Sequence, residues 1–444
     1  MLDVFIILTL ILMLIAVAVF PKLGFYLTWL VLCLYPHGWW ENLGVPLNIG
    51  FDDLFTVYWV IVVAARKGLC LSGAHKLMIL FFLTVCLGNT TGYMLYGDRI
   101  LGLGTVLVVE ILKCSTFIMF AIAMNRLIET ERDFQHAWLG LLVGLGAGAV
   151  LALYSYYDPG IMVYFGTKRS VTLAEWGTSL GGYRAAGAFT EPATAALSMM
   201  LGLAMTLLGW YQCSGWRRLL LIGCALVFVA VALLTGTRTI LLALIMVIAA
   251  FPFLRGSRLV LVGLSVVGIL VLLLDSTLLT TLYDRLNTLD SGRPDIWRAY
   301  LSKLDIQRLL LGEGQWPGIL IDGGGFQGHN AFIDMLCYYG IWGLFAGVAL
   351  YVFCIRNLLR LHKSSHPMGR RLYGSATAFL IFFFAFSMTG ETMTPGSWGL
   401  RIFFILMIYL ESGRQLFASS TEQVDPLLYQ TAHAHPNRLA GGAE

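Results

Sequence analysis

Long apolar runs alternate with short polar connections along most of this chain. The runs are about 15–22 residues long, and a helix of that length crosses the roughly 30 Å of hydrocarbon in a bilayer. Because apolar residues are continuous within each run, the pattern favours helices over a membrane barrel. We therefore expect an all-α integral membrane protein, a polytopic helical bundle of about 12–13 transmembrane helices. The predicted spans are 3–20, 23–36, 53–65, 77–95, 102–124, 136–155, 193–211, 217–235, 239–253, 258–275, 331–354, 372–389 and 399–411.

Composition agrees with this class. The chain is 58% hydrophobic and 12% charged, whereas soluble domains are about 45–50% apolar and about 25% charged. The first run lacks a basic start and a small-residue cleavage site, which predicts a retained helix and not a signal peptide. No basic run accompanies the net charge of +4, so nucleic acid is not expected as a partner. The eight Cys include no CxxC pair and are expected to be small buried apolar residues.

Basic residues gather in alternate connections, and this sets the expected orientation. The positive-inside trend places those connections in the cytoplasm. The connections left to face outward are 36–52, 156–192, 276–330 and 390–398. The predicted domains are a transmembrane bundle over 1–275 that includes the outward loop 156–192, an outward catalytic loop over 276–330, C-terminal transmembrane helices over 331–411 and a cytoplasmic tail over 412–444.

The outward loop 276–330 is unusual for its side of the membrane, because it carries Arg285, Arg293, Arg298, Lys303 and Arg308. Either a loop of this length is translocated regardless of its charge, or its cations bind an anion at the outer surface.

A further cation stands at an outward helix boundary, in TGTRT at 235–239. Arg238 of this motif either faces an anion or snorkels to the interface. The short Thr/Gly turn also exposes backbone N–H groups at the start of the next helix, which favours an anion there.

The segment GRPDIW places Arg293 directly before Pro294, and proline suits the first turn of a helix. We expect a short helix over 294–304 lying on the membrane, with Asp295 in its first turn and Arg298 on its flank. The rigid guanidinium fork suits bidentate phosphate contact. The alternative is a solvated amphipathic helix.

His329 follows a Gly-rich stretch and opens the next span. Imidazole takes a proton near neutral pH, and a helix start disfavours its charged form, so His329 is either a neutral general base or a structural residue. Asn330 is expected to cap the helix or bind a hydroxyl. Arg184 and Glu191 lie at the outward entrance of another span, where Glu191 either pairs with an Arg or binds sugar hydroxyls. No His, Cys or carboxylates stand at metal-ligand spacing, so neither a metal nor a cofactor is expected.

The motifs together resemble the O-antigen ligase and polysaccharide polymerase family. The resemblance rests on the order and spacing of RAAGAFTEPATAAL (184–197), TGTRT, SGRPDIW (291–297), LLGEG (310–314), and HN followed by nine residues and G-x-x-G (329–343). It covers about 184–345 in motifs and the whole chain in helix count. No second His stands just before His329, and the outer loop is modest in length.

The resemblance implies a metal-independent inverting glycosyltransferase with a fold similar to GT-C enzymes, in a bacterial inner membrane, with its active site facing the periplasm. Its donor would be a glycan on undecaprenyl diphosphate. A polymerase passes the growing chain to the next lipid-linked repeat unit, and a ligase passes it to lipid A–core. By this resemblance His329 is the base or orienter, and Arg238 and Arg293 hold the diphosphate. Arg184, Glu191, Arg298 and Asn330 are secondary substrate contacts. Membrane lipid and a chain-length regulator are further expected partners.

The polymerase is favoured slightly over the ligase, because the outer loops look small for docking a large lipid A–core. Two other classes stay open. An anion transporter would use the Arg set as its site, although such sites lie near the midplane between related halves, and no internal repeat is evident here. The other is a structural assembly partner with an inactive site.

Overall fold

The computed structural model describes residues 2–34, 50–98, 102–161, 185–189, 191–210, 213–235, 237, 293–315, 330–388, 390, 392–395 and 397–418. No residue in these ranges lies in a β-strand. Three short 3₁₀ turns occupy Pro21–Leu23, Pro159–Ile161 and Gly187–Phe189. The α-helices are α1 (Leu2–Val19), α2 (Gly24–Leu34), α3 (Phe51–Lys67), α4 (Gly73–Tyr96), α5 (Leu103–Leu127), α6 (Glu131–Tyr157), α7 (Pro192–Trp210), α8 (Trp216–Leu234), α9 (Arg293–Ser302), α10 (Ile306–Leu311), α11 (Ala331–His362), α12 (Pro367–Ser387) and α13 (Trp398–Phe417).

The helices confirm the predicted class of an all-helical membrane protein. The predicted spans 239–253 and 258–275 lie outside the described residues, and each of the others coincides with one helix. Six of the described helices, α4 to α8 and α11, are long and apolar enough to cross a membrane. These six meet the requirement of about 20 predominantly apolar residues.

Two C-terminal helices extend beyond their predicted ends. Helix α11 continues past residue 354 to His362, and α13 continues past 411 to Phe417. The added residues of α11 bury Leu358 and Leu361, while those of α13 bury Phe417. These last turns carry polar residues on one face, so the apolar run in the sequence stops before the helix does.

Helix α13 forms the centre of the bundle. Every residue from Gly399 to Gly413 is buried, and the helix packs against α5, α11 and α12. Helices α2 and α6 pack closely on one another at the side of the bundle. There a Cβ on Gly144 would lie 2.4 Å from the Cβ of Trp29, so the absent side chain lets the two backbones approach.

The bundle has an inner end, which we define by the ends of α1, α3 and α5 and the starts of α2 and α6. Arg66 donates to the Val19 carbonyl at 3.1 Å, and Arg126 donates to the Lys67 carbonyl at 3.0 Å. Ion pairs join Lys22 to Asp133 and Lys67 to Glu129. Arg66, Lys67 and Arg126, which come from two of the basic connections, therefore meet at one end of the molecule.

The opposite end, called the outer end here, gathers the described flanks of three of the four predicted outward loops. The Ala185 N–H donates to the Leu234 carbonyl at 3.1 Å, which joins the approach to α7 to the end of α8. Phe189 packs on Trp398 with ring centroids 5.7 Å apart, which adds the start of α13. Phe332, at the start of α11, packs on Phe384 near the end of α12 at 5.5 Å.

Candidate functional site

The predicted site residues divide into those the structure describes and those it does not. Arg184, Arg238 and His329 lie outside the described residues. Arg293 is the first residue of α9.

Helix α9 confirms the short helix predicted at 294–304, although it begins at Arg293 and ends at Ser302, and Asp295 lies in its first turn. Its position on the membrane stays a prediction. Arg298 donates to the Asp295 carboxylate at 3.0 Å, and both side chains are largely exposed, at 80% and 76%. An exposed pair of this kind contributes about 0–1 kcal/mol. The arrangement leaves Arg298 on the outer surface of the molecule and does not bury it in a binding pocket.

Asn330 caps α11, which is one of the two roles predicted for it. Its Oδ1 accepts from the Phe332 N–H at 3.0 Å and the Ile333 N–H at 3.3 Å, and the residue is only 4% exposed. These bonds satisfy two backbone donors that a helix start otherwise leaves open. The cap fixes the point at which the chain enters the bundle, one residue after His329.

Glu191 lies directly before α7, where its backbone carbonyl accepts from the Ala195 N–H at 2.9 Å.

Helix α11 is broken at Gly340, a feature that the sequence analysis missed. Gly340 has φ 67° and ψ −170°, a conformation essentially confined to glycine. Because the helix is interrupted here, carbonyl groups of the preceding turn lack their usual intrahelical N–H donors. The carbonyls of Cys337 and Tyr338 accept instead from the N–H groups of Glu313 and Gly314, at 3.2 and 2.9 Å.

The segment that supplies these donors, Gly312–Gln315, is called the docked loop here. It fills a narrow space between the break in α11 and the outer part of α4. A Cβ on Gly312 would lie 2.2 Å from the Tyr338 carbonyl oxygen, and one on Gly92 would lie 2.0 Å from the Glu313 carbonyl oxygen. A Cβ on Gly340 of G-x-x-G would likewise lie 2.8 Å from the Gly312 nitrogen. Gly312 of LLGEG and Gly340 thus serve one contact, because a side chain at either place would push the backbones apart.

A charged cluster holds the docked loop to α4. Tyr96 donates to Glu313 Oε2 at 2.9 Å, and Arg308 Nε lies 3.1 Å from the same oxygen. Arg308 also donates through Nη2 to the Tyr96 hydroxyl at 2.8 Å and through Nη1 to the Lys303 carbonyl at 2.9 Å. Burial opposes the charge on Arg308, but Glu313 and the bond to Tyr96 outweigh it and raise the pKa of the guanidinium. Arg308 therefore remains a cation within the Tyr96–Arg308–Glu313 cluster.

A buried cation, also missed in the sequence, lies in the first turn of α13. Arg401 donates to Asp52 at 3.1 Å and to Asp53 at 3.5 Å, and all three are less than 10% exposed. Its guanidinium lies 4.1 Å from the ring centroid of Phe117 and 5.1 Å from that of Trp398. Charges within an apolar bundle persist when they pair in this way. The sequence did contain a signal for this pairing. Two adjacent aspartates open one predicted span, and the last span contains an Arg with no acidic partner nearby in the sequence.

The described residues offer no metal centre: among them, no three His, Cys, Asp or Glu side chains converge as ligands.

What the outer end presents is an ordered scaffold. Its described parts are α9, α10, the docked loop and the Asn330 cap of α11. Comparison with known proteins adds no relative, because neither known protein families nor curated proteins contain a match to this chain.

Proposed function

We propose that this protein is a polysaccharide polymerase. It transfers a growing glycan from undecaprenyl diphosphate to the next lipid-linked repeat unit at the outer face of a bacterial inner membrane. The proposal includes a bundle of about 12–13 spans with a GT-C-like fold. Its basis is the resemblance in motif order, together with the all-helical bundle.

One observation carries the proposal beyond the motifs themselves. LLGEG and the HN-to-G-x-x-G motif are separated in sequence, yet the Gly314 N–H donates to the Tyr338 carbonyl at 2.9 Å. The contact joins the docked loop, which follows α9 and α10, to α11, which begins two residues after His329. Motifs that jointly build one rigid outer-end scaffold are what a transferase needs to hold donor and acceptor in line.

The chemistry assigned to these residues follows from the donor. An acceptor hydroxyl attacks the anomeric carbon, and the bond from that carbon to the diphosphate oxygen breaks with inversion. His329 takes the hydroxyl proton. Arg238 and Arg293 stabilise the negative charge that develops on the departing undecaprenyl diphosphate. No metal takes part in this scheme.

The test is a transfer assay with the purified protein in lipid nanodiscs and an undecaprenyl-diphosphate-linked repeat unit as the sole substrate. A polymerase yields a ladder of lipid-linked oligomers and free undecaprenyl diphosphate. If products form only when lipid A–core is added, the protein is a ligase. If neither product forms while the protein still moves an anionic solute across vesicles, the transporter takes the place of both.

A further inference from the structure

The N-terminal half of α11, residues 331–339, is attached to the rest of the bundle in an unusual way. Its continuation is interrupted at Gly340, so the helix ladder does not run from one half to the other. Its last carbonyls, those of Cys337 and Tyr338, are bonded by the docked loop. The position of this half-helix therefore depends on the loop as well as on its packing against α4.

The loop in turn depends on side chains. Glu313 is the one charged residue of Gly312–Gln315, and its Oε2 receives both the Tyr96 hydroxyl at 2.9 Å and Arg308 Nε at 3.1 Å. Tyr96 is the last residue of α4. The chain of contacts thus runs from α4 through Glu313 and the loop backbone to the half-helix whose first residue follows Asn330.

We infer that the Tyr96–Arg308–Glu313 cluster is a positioning clamp for the proposed transfer reaction. It fixes the distance between α9, which Arg293 begins, and the start of α11 next to His329. In this role Glu313 acts through the backbone of the docked loop, because Tyr96 and Arg308 both engage its carboxylate. This role rests on the proposed function, but the clamp itself is a structural claim with its own test.

The half-helix contains a native reporter of the clamp. Cys337 is 3% exposed and its carbonyl accepts from the Glu313 N–H, while Cys354 on the other side of the break is 0% exposed. Release of the docked loop opens Cys337 to a small permeant thiol reagent and leaves Cys354 covered. Comparing the labelling of Cys337 and Cys354 therefore distinguishes local opening of the half-helix from general unfolding.

The first experiment measures N-ethylmaleimide labelling of each Cys by peptide mass spectrometry in the full-length protein. Glu313→Ala is expected to raise the Cys337 labelling rate at least tenfold relative to the unsubstituted protein, with Cys354 unchanged. Tyr96→Phe moves Cys337 in the same direction by less, because it removes one of the two bonds to Glu313. Glu129→Ala, which breaks an exposed ion pair at the inner end, leaves both unchanged. Unchanged Cys337 labelling in Glu313→Ala, or a matching rise at Cys354, overturns the clamp.

The second experiment asks whether the clamp serves transfer. Misplacement of a reacting group by about 1 Å costs up to about 100-fold in rate. Glu313→Ala should therefore lower kcat about 10- to 100-fold with the donor KM largely unchanged, and Glu313→Gln should recover part of the loss. A rise in KM alone would make Glu313 a substrate contact and overturn the positioning role. If the unsubstituted protein transfers no glycan, the proposed function fails, while the labelling result still decides the clamp.

Discussion

The inner and outer ends of the bundle use the same kinds of residue under different constraints. Gly68, at the inner end, and Gly340, in the outer break, share a φ of 67°. A Cβ on Gly68 would meet nothing within 4 Å, whereas one on Gly340 would lie 2.5 Å from the Leu310 carbonyl oxygen. At the inner end a glycine lets the chain turn. At the outer end it also lets two backbone segments touch.

Charges show the same contrast. The inner pair Lys67–Glu129 is 29% and 47% exposed, while Arg401 and its two aspartates lie within the packed bundle. The Lys67–Glu129 pair is partly solvated and should tolerate change, although Asp133 of the other inner pair is buried. The outer end combines the buried Arg401 pair with backbone contacts that admit no side chain, an arrangement that suits the proposed holding of substrates there.

Substitution of one histidine at each end should give the largest difference in transfer activity. His329→Ala should lower transfer about 10²–10⁴-fold, the usual loss for a general base, and His329→Gln should fail as well because an amide cannot take the proton. His366 at the inner end caps α12 by accepting from the Met368 N–H at 3.2 Å. His366→Ala should leave turnover unchanged in the same nanodisc assay. Full activity of His329→Ala would remove His329 from the mechanism.

Arg401→Leu is the strongest expected disturbance of stability. It leaves Asp52 and Asp53 buried without their guanidinium partner, and breaking a buried pair in this way costs about 3–5 kcal/mol. Thermal unfolding in detergent measures the effect. The triple variant with Asp52→Asn and Asp53→Asn should recover much of the loss, because no uncompensated charge then remains. A triple variant no more stable than Arg401→Leu would show that packing, and not charge, accounts for the loss.

The two glycines with equal φ form a matched pair. Alanine at either position carries backbone strain of about 1–3 kcal/mol. Gly340→Ala should lose more stability than Gly68→Ala, because its methyl group also displaces the docked loop, and it should lower transfer while Gly68→Ala does not. Denaturation and turnover measured side by side check this. Equal losses in both variants would mean that the loop does not depend on the break.

The smallest expected effect belongs to the exposed inner pair. Glu129→Gln should change the free energy of unfolding by about 0–1 kcal/mol and leave transfer unchanged. Raised ionic strength should shrink even this difference, because salt screens exposed charges. A loss comparable to that of Arg401→Leu would contradict the proposed contrast between the ends.

Much of this architecture was predictable because it is local in the sequence. Apolar runs mark the helices, Pro294 marks the first turn of α9, and Asn330 has the residue type of a helix cap. The break at Gly340 was not predictable, since it lies inside a continuous apolar run and its partner Leu310 belongs to a distant segment. The pairing of Arg401 with Asp52 spans 349 residues, and no periodicity reports such a contact. The sequence does show that an Arg lies inside an apolar span, and a charge at that depth needs a partner.

The orientation of the two ends is the central claim, and one labelling experiment tests it. Cys70 is exposed in the inner connection between α3 and α4, and Asp295 on α9 has a side chain that is 76% exposed. In sealed right-side-out vesicles, a membrane-impermeant maleimide should label Asp295→Cys and spare Cys70 until the vesicles are opened. The converse, with Cys70 labelled from outside and Asp295→Cys protected, would invert the molecule and contradict an outward-facing transfer site.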